Sequence, residues 1–132
     1  WGGANHSWSV AGANGIPALN GAVRSPNDYS ITSPTANASV TKSNGIQVRW
    51  SNTSTTSKIL VQIINIKDKG QAKVYQELND NGSYTIPASD LTSFSGDCQL
   101  FVVRYNYNSV TAANKKYYMV SEIVKSINIK VN

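Results

Sequence analysis

Few side chains in this sequence have the chemistry that catalysis requires. The chain contains one histidine, His6, and no Asp or Glu lies close to it in sequence. A hydrolase needs a base with the group that orients it, or a nucleophile with its base, and His6 lacks such a neighbour. Because His6 also lies in a glycine-rich stretch, we expect it to be exposed to solvent. The sequence therefore predicts a protein that is not an enzyme and uses no cofactor.

The seven carboxylates could in principle supply a pair for glycoside hydrolysis. Aspartates at turns and helix caps bond to nearby backbone, and this accounts for four of them. Those four are Asp68, Asp80, Asp90 and Asp97. One cysteine, Cys98, and one histidine exclude an internal disulfide and a zinc cluster. The oxygens near Asp80 lack the spacing of a calcium loop, so we predict no metal site.

The aromatic residues are more informative. The run from Cys98 to Tyr107 is rich in β-branched and aromatic residues, and side chains of an extended strand alternate between two faces. One face, with Cys98, Leu100 and Val102, is predicted to lie in a core. The opposite face then carries Phe101, Val103, Tyr105 and Tyr107.

An aromatic face of this kind suits the rings of a sugar or the peptide of a partner protein. Such rings bury carbon-bound hydrogens at a low cost in side-chain entropy. The predicted binding residues are Tyr105, Tyr107, Tyr117 and Trp8 for stacking, with Arg104 and Asn106 for hydrogen bonds. The alternative is that the arm formed by residues 1–28 covers this face, with Trp1 or Trp8 packed on it.

The elements that position these residues read as short strands. Runs typical of strands occupy residues 46–50, 59–66, 73–78, 83–86, 98–107 and 117–131, with a short edge strand near Tyr29 and Ile31. The segment from Asn79 to Gly82 predicts a tight hairpin. One helical turn is expected to bury Leu91. Seven strands of this spacing predict an all-β, two-sheet antiparallel β-sandwich of residues 29–132, preceded by the glycine-rich arm.

The bulk composition limits the partners. The net charge is +5, but the basic residues are scattered and form no block, so we predict no nucleic-acid partner. The longest apolar stretch, residues 59–66, is too short to span a bilayer, so no transmembrane segment is expected.

The strand pattern resembles a fibronectin type III or immunoglobulin-like domain. The resemblance rests on the tryptophan that ends Gly45–Trp50, the apolar run Ile59–Val61, and Leu91 before the strand Cys98–Asn106, and it covers roughly residues 29–132. The expected tyrosine corner is missing, because Asp97 and Cys98 stand there. The chain therefore resembles a divergent member. The form of residues 80–87 followed by Leu91 is similar to sandwich modules of bacterial cell-surface proteins and lipoproteins.

This resemblance implies an architecture rather than a function, because the sandwich hosts many unrelated roles. We predict a non-catalytic, secreted or cell-surface binding or adhesion module, whose partner is a protein or a carbohydrate at the cell surface. The alternative is a structural spacer or an assembly subunit of a larger surface protein. In that case the arm or an edge strand would mediate self-association.

Overall fold

The computed structural model describes residues 2–68 and 70–132. These residues form ten strands and two short 3-10 helices, so the all-β class is confirmed. The strands are β1 Asn5–Val10, β2 Leu19–Arg24, β3 Ile31–Ser33, β4 Ser39–Val40, β5 Ile46–Trp50, β6 Lys58–Asn65, β7 Ala72–Asn79, β8 Ser83–Ile86, β9 Gly96–Ala112 and β10 Lys115–Val131. The 3-10 helices are Lys42–Asn44 and Ala88–Leu91.

The described strands are arranged in three sheets. A five-stranded sheet has the order β4-β10-β9-β6-β7, a three-stranded sheet has the order β3-β5-β8, and β1 and β2 form a separate antiparallel hairpin. The seven-strand, two-sheet prediction was too simple, because it contained neither the β1–β2 hairpin nor the short strand β4. The Asn-Gly dipeptides and prolines of the arm indicate turns, so the sequence did not predict the pairing of residues 5–10 with residues 19–24.

One hydrophobic core lies between the five-stranded and the three-stranded sheets. The apolar residues of β6 and β9 that point toward β5 and β8 are fully buried, as alternation requires. They include Ile59, Val61, Ile63, Cys98, Leu100 and Val102, and they face the equally buried Val48 of β5 and Ile86 of β8. Leu91 of the second 3-10 helix is also fully buried, which confirms the predicted turn. We call the core-facing side of the five-stranded sheet its inner face and the opposite side its outer face.

Strands β9 and β10 are each 17 residues long and extend beyond the core as a hairpin. Strand β6 pairs with β9 only between residues 98 and 105, so the remainder of β9 is paired with β10 alone. The turn between them consists of Ala113 and Asn114, with φ angles of 49° and 61°. Two consecutive positive φ angles are typical of the tightest hairpin turns. The sequence prediction left residues 108–116 unassigned because Ala-Asn is a weak turn signal.

The β1–β2 hairpin packs on the inner face of this extension. Asn106 and Asn108 of β9 donate their side-chain amides to the carbonyls of Arg24 and Ala22, at 2.8 and 3.0 Å. The two donors are two residues apart on β9, and the two acceptors are two residues apart on β2. Side chains of β9 therefore provide hydrogen-bond donors to backbone carbonyls of β2. Gly21 of β2 lies directly over Met119, since a Cβ at Gly21 would approach the Met119 sulfur to 2.3 Å.

A charged cluster is buried where the core ends and the extension begins. The side chain of Arg104 is fully buried, and its Nε lies 2.8 Å from Oδ2 of Asp80, which is also fully buried. Asp80 accepts a hydrogen bond from Nε1 of Trp50 at 2.6 Å. Arg104 also donates to the carbonyls of Asn27 and Ser51, at 2.9 and 3.0 Å. The cluster therefore fixes four separate chain segments to one another.

The burial of Asp80 also explains why the predicted hairpin at residues 79–82 was wrong. Gly82 has the positive φ of a turn, 91°, but β7 and β8 do not pair with each other. Strand β7 pairs with β6 and strand β8 pairs with β5, in a different sheet. The turn carries the chain from one sheet to the other, and the Asp80 side chain is directed into the core. Within the described part of the chain, no helix is long and apolar enough to cross a membrane.

Candidate functional site

The outer face of the five-stranded sheet carries an uncovered group of tyrosines. Alternation along β9 directs Val103, Tyr105 and Tyr107 to this face, as predicted. Tyr118 of β10 pairs with Ser109 and joins them. Tyr107 and Tyr118 are 47% and 57% exposed, so the rings are accessible to a ligand. We call the group of Tyr105, Tyr107 and Tyr118 the tyrosine platform.

The three rings form a continuous strip. The centroids of Tyr105 and Tyr107 are 6.3 Å apart and their planes differ by 24°, so the rings are nearly parallel. Tyr107 and Tyr118 lie 6.1 Å apart with an angle of 59° between the planes. The strip therefore consists of two nearly parallel rings on β9 and one tilted ring on β10.

Glu77 holds the first ring in place through an unusual backbone conformation. Its φ angle is 57°, in the left-handed region that only glycine adopts without cost, and the β6–β7 register shifts beside it. The hydroxyl of Tyr105 donates to Oε1 of Glu77 at 2.9 Å, and the backbone N–H of Glu77 donates to that hydroxyl at 3.2 Å. Strain of this kind persists where surrounding contacts fix it, often at functional positions.

The pKa of Tyr105 is raised above its ordinary value. Partial burial is the main cause, and the hydrogen bond to the Glu77 carboxylate adds to it, since both disfavour a phenolate. Tyr105 is therefore a neutral phenol at physiological pH. Its ring offers an uncharged surface with a fixed hydroxyl.

The platform has an apolar floor and a polar rim. Leu60, Val103 and Val120 line the groove beside the rings, while the rim contributes charged and amide groups: Gln76 and Glu77 on β7, and Lys116 and Glu122 on β10. Nζ of Lys116 lies 5.1 Å from the centroid of the Tyr118 ring, within the range of a cation–π contact. A ligand with apolar faces and several hydroxyl or amide groups would match this groove.

Two of the predicted binding residues lie on the wrong face for this site. Arg104 is fully buried in the ion pair with Asp80, and Asn106 bonds the backbone of Arg24. Both alternate with Tyr105 along β9, so strand geometry alone directs them inward. The prediction that they supply hydrogen bonds to a platform ligand was therefore wrong, and the polar side chains beside the rings belong instead to β7 and β10.

Trp8 and Tyr117 are brought together, and neither lines the platform groove. Both line a small apolar notch between the β1–β2 hairpin and the tip of β9 and β10, together with Val10 and Met119. The described part of the arm thus packs on the inner face and beside the edge of β10, where Trp8 also lines a gap with Val120 and Glu122, and it does not cover Tyr105 and Tyr107, contrary to the covering alternative. Trp1, the other residue proposed as a cover, lies outside the described residues.

The sequence prediction missed Tyr118 and Glu77, and it also missed the rim residues Gln76, Lys116 and Glu122. Tyr118 could have been found from a turn at residues 113–114. The register that follows from this turn pairs Tyr118 with Ser109, two residues from Tyr107 on the same face. The role of Glu77 depends on the register shift in β7, for which the sequence offers no signal.

The other side chains that could take part in catalysis or metal binding lie in separate parts of the structure. His6 on β1 lines a gap beside β10 that Glu122 also lines, so the structure brings a carboxylate nearer to His6 than the sequence suggested. Asp90 bonds the hydroxyl of Tyr75 at 2.7 Å and lies 3.5 Å from Lys73. Burial raises the pKa of the Cys98 thiol, which disfavours the reactive thiolate. Within the described residues, no group of His, Cys, Asp and Glu is arranged to hold a metal ion.

Comparisons with known proteins identify no relative. No family model, no curated protein and no solved structure matches this chain.

Proposed function

We propose that this protein is a non-catalytic binding module that takes a carbohydrate on the tyrosine platform. The observation that carries the proposal is the pair of nearly parallel rings on β9, of which Tyr107 is exposed and Tyr105 is partly buried. The carbon-bound hydrogens of a sugar ring pack against such faces, and no covalent chemistry is needed. The extracytoplasmic setting and the fibronectin-like ancestry predicted from the sequence belong to the same proposal.

The rim supports a sugar over a purely apolar ligand. Glu77 uses Oε1 to hold Tyr105, and a carboxylate can accept further hydrogen bonds from ligand hydroxyls. Lys116 and Gln76 add donors at the two sides of the groove. A surface that joins ring faces to dispersed polar groups matches the alternating faces and hydroxyls of a glycan.

The test is a glycan-array screen followed by calorimetric titration of the glycans that bind. Tyr107→Ala should weaken binding about five- to tenfold, since a stacking ring contributes on the order of 1–1.5 kcal/mol. Tyr117→Ala is the matched control, because the same residue type is removed from the inner face and affinity should be retained. Equal loss in both variants, or no glycan binding by the parent chain, would overturn the proposal.

A further inference from the structure

Strand β10 has a long edge that no described strand covers. On one side it pairs with β9 along its whole length, but on the other side β4 pairs only with Lys130 and Val131. Among the described residues, Asn37 also reaches this edge, through a hydrogen bond from its N–H to the carbonyl of Asn128. Residues 116–126 carry no backbone partner on that side in the described part of the chain. An open edge of this length is a template for another strand.

The direction of the backbone groups along this edge follows from the bonds at its end. The carbonyl of Asn128 and the N–H of Lys130 both point toward the β4 side. Because the pairing with β9 continues without a register shift, the same alternation holds toward the tip. The even-numbered residues therefore direct their N–H and C=O groups to the open edge.

Four of these even-numbered residues form one row on the outer face. In order along β10 they are Lys116, Tyr118, Val120 and Glu122, and all four line the platform groove. The row reads as a cation, an aromatic ring, a β-branched side chain and an anion. The row is complementary to a second, antiparallel copy of itself. In such a pair the cation lies opposite the anion, and the aromatic ring lies opposite the β-branched side chain.

We infer that two copies of this chain form a symmetric dimer by antiparallel pairing of their β10 edges, with the two-fold axis at Met119. Lys116 then lies opposite Glu122 of the other copy, and Tyr118 lies opposite Val120. These are hydrogen-bonded pairs, as the outward direction of the even-numbered groups requires. Opposite charges and aromatic with β-branched residues are favourable cross-strand pairs.

The charges select this register from the others that the backbone allows. If the axis moved one residue, to Val120, Lys116 would face Val124 and Tyr118 would face Glu122. Both charge pairs would be lost, although the backbone bonds would still form. A cavity separates this edge from His6, Ser7 and Trp8 of β1, and the incoming strand would enter it beside Val120 and Glu122.

The dimer would join the two five-stranded sheets into one and place the two platforms side by side. It does not depend on what the platform binds, because the pairing uses backbone groups and the four side chains of β10. A dimer without glycan binding, or glycan binding by a monomer, would separate the two proposals.

The decisive experiment exchanges the charges and measures mass by sedimentation velocity over a range of concentrations. Lys116→Glu and Glu122→Lys should each raise the dimer Kd about tenfold or more, because both symmetric contacts become repulsive. An equimolar mixture of the two variants should form a heterodimer, since every contact in it is again between opposite charges. The double variant should dimerise like the parent chain.

A proline substitution tests the backbone independently of charge. Val120→Pro removes an N–H that points to the open edge and not to β9, so the fold should tolerate it while dimerisation is lost. Ser126→Pro is the matched control, since it removes an N–H from the same edge outside the paired segment and should still dimerise. A parent chain that is monomeric at all concentrations, or a dimer indifferent to these variants, would overturn the inference.

Discussion

The guanidinium of Arg104 and the carboxylate of Asp80 form an ion pair in which both side chains are fully buried, with 2.8 Å between Nε and Oδ2. The pair has further support from Trp50 Nε1, which donates to Asp80, and from the ring of Tyr29, whose centroid lies 4.6 Å from the guanidinium carbon. Arg104 belongs to β9 and Asp80 follows β7, both in the five-stranded sheet, whereas Trp50 belongs to β5 of the three-stranded sheet. The pair together with Trp50 therefore joins the two sheets at the point where the apolar core ends.

Asp80→Ala is expected to be among the most destabilising single substitutions in the chain. It leaves the positive charge of Arg104 buried without a counter-ion and removes the acceptor of Trp50, which should lower the free energy of unfolding by about 3–5 kcal/mol. Urea denaturation followed by tryptophan fluorescence measures this loss. Asp28→Ala is the control, because its partner Lys125 and Asp28 itself are largely exposed, and it should leave the midpoint nearly unchanged. Similar midpoints for the two variants would contradict the prediction.

Tyr29 predicts a loss of stability at alkaline pH. Burial is the main cause that raises its pKa above the ordinary value of 10.0, and its hydroxyl donates to the carbonyl of Val102. Above pH 10 the unfolded chain releases this proton while the folded chain keeps it. The free energy of unfolding therefore falls as the pH rises beyond that point.

The measurement compares the parent chain with Tyr29→Phe by urea denaturation between pH 8 and pH 11. At pH 8 the variant should be less stable by about 1 kcal/mol, the net value of one buried hydrogen bond. The difference should shrink above pH 10, because phenylalanine does not ionise. A constant difference across the whole range would show that the phenol of Tyr29 is not protected by folding.

Glu77→Gly separates stability from binding. Glycine adopts the φ of 57° without the cost that Glu77 bears, and this gain offsets the lost bond from Tyr105 to the carboxylate. The free energy of unfolding should change by less than about 1 kcal/mol. Affinity for the platform ligand should nevertheless fall, since the Tyr105 hydroxyl keeps only the bond from the backbone N–H of residue 77 and the rim loses a carboxylate. Calorimetric titration and denaturation of the same sample check both halves, and a parallel fall in stability would contradict the expectation.

The side-chain amides of Asn106 and Asn108 should control the docking of the β1–β2 hairpin. Replacing both by alanine leaves the carbonyls of Arg24 and Ala22 without these donors. The hairpin should then open locally more often, and amide exchange in residues 5–10 and 19–24 should accelerate about tenfold, for a loss of roughly 1.4 kcal/mol. Hydrogen exchange read by mass spectrometry tests this. Exchange in β6 should stay unchanged, and equal acceleration there would indicate global destabilisation instead.

The sequence contained much of the strand pattern and part of the site. The runs at residues 46–50, 59–66 and 83–86 are strands in the structure, because period-two patterns and turn residues are local signals. Alternation also directed Tyr105 and Tyr107 outward correctly. The same rule places Arg104 and Asn106 inward, so their assignment to the platform contradicted information already present in the sequence.

Other features depend on contacts between distant residues and could not be found by local reasoning. The sequence prediction recognised the turn at Asn81 and Gly82. It did not find that this turn leads to another sheet, because the partners that hold Asp80 in the core, Trp50 and Arg104, lie 30 and 24 residues away. The β1–β2 hairpin likewise depends on amides more than 80 residues distant. A local pattern predicts that a turn exists, but it does not predict which strands that turn joins.

The spacing of Asn106 and Asn108 has a consequence for the order of folding. If β9 slipped by one residue, both amides would turn to the outer face and the edge of β2 would find no donors. The β1–β2 hairpin can therefore dock only on a β9 strand that is already in its native register. The N-terminal residues, although synthesised first, are expected to complete their structure last, and their docking reports that the C-terminal hairpin has formed correctly.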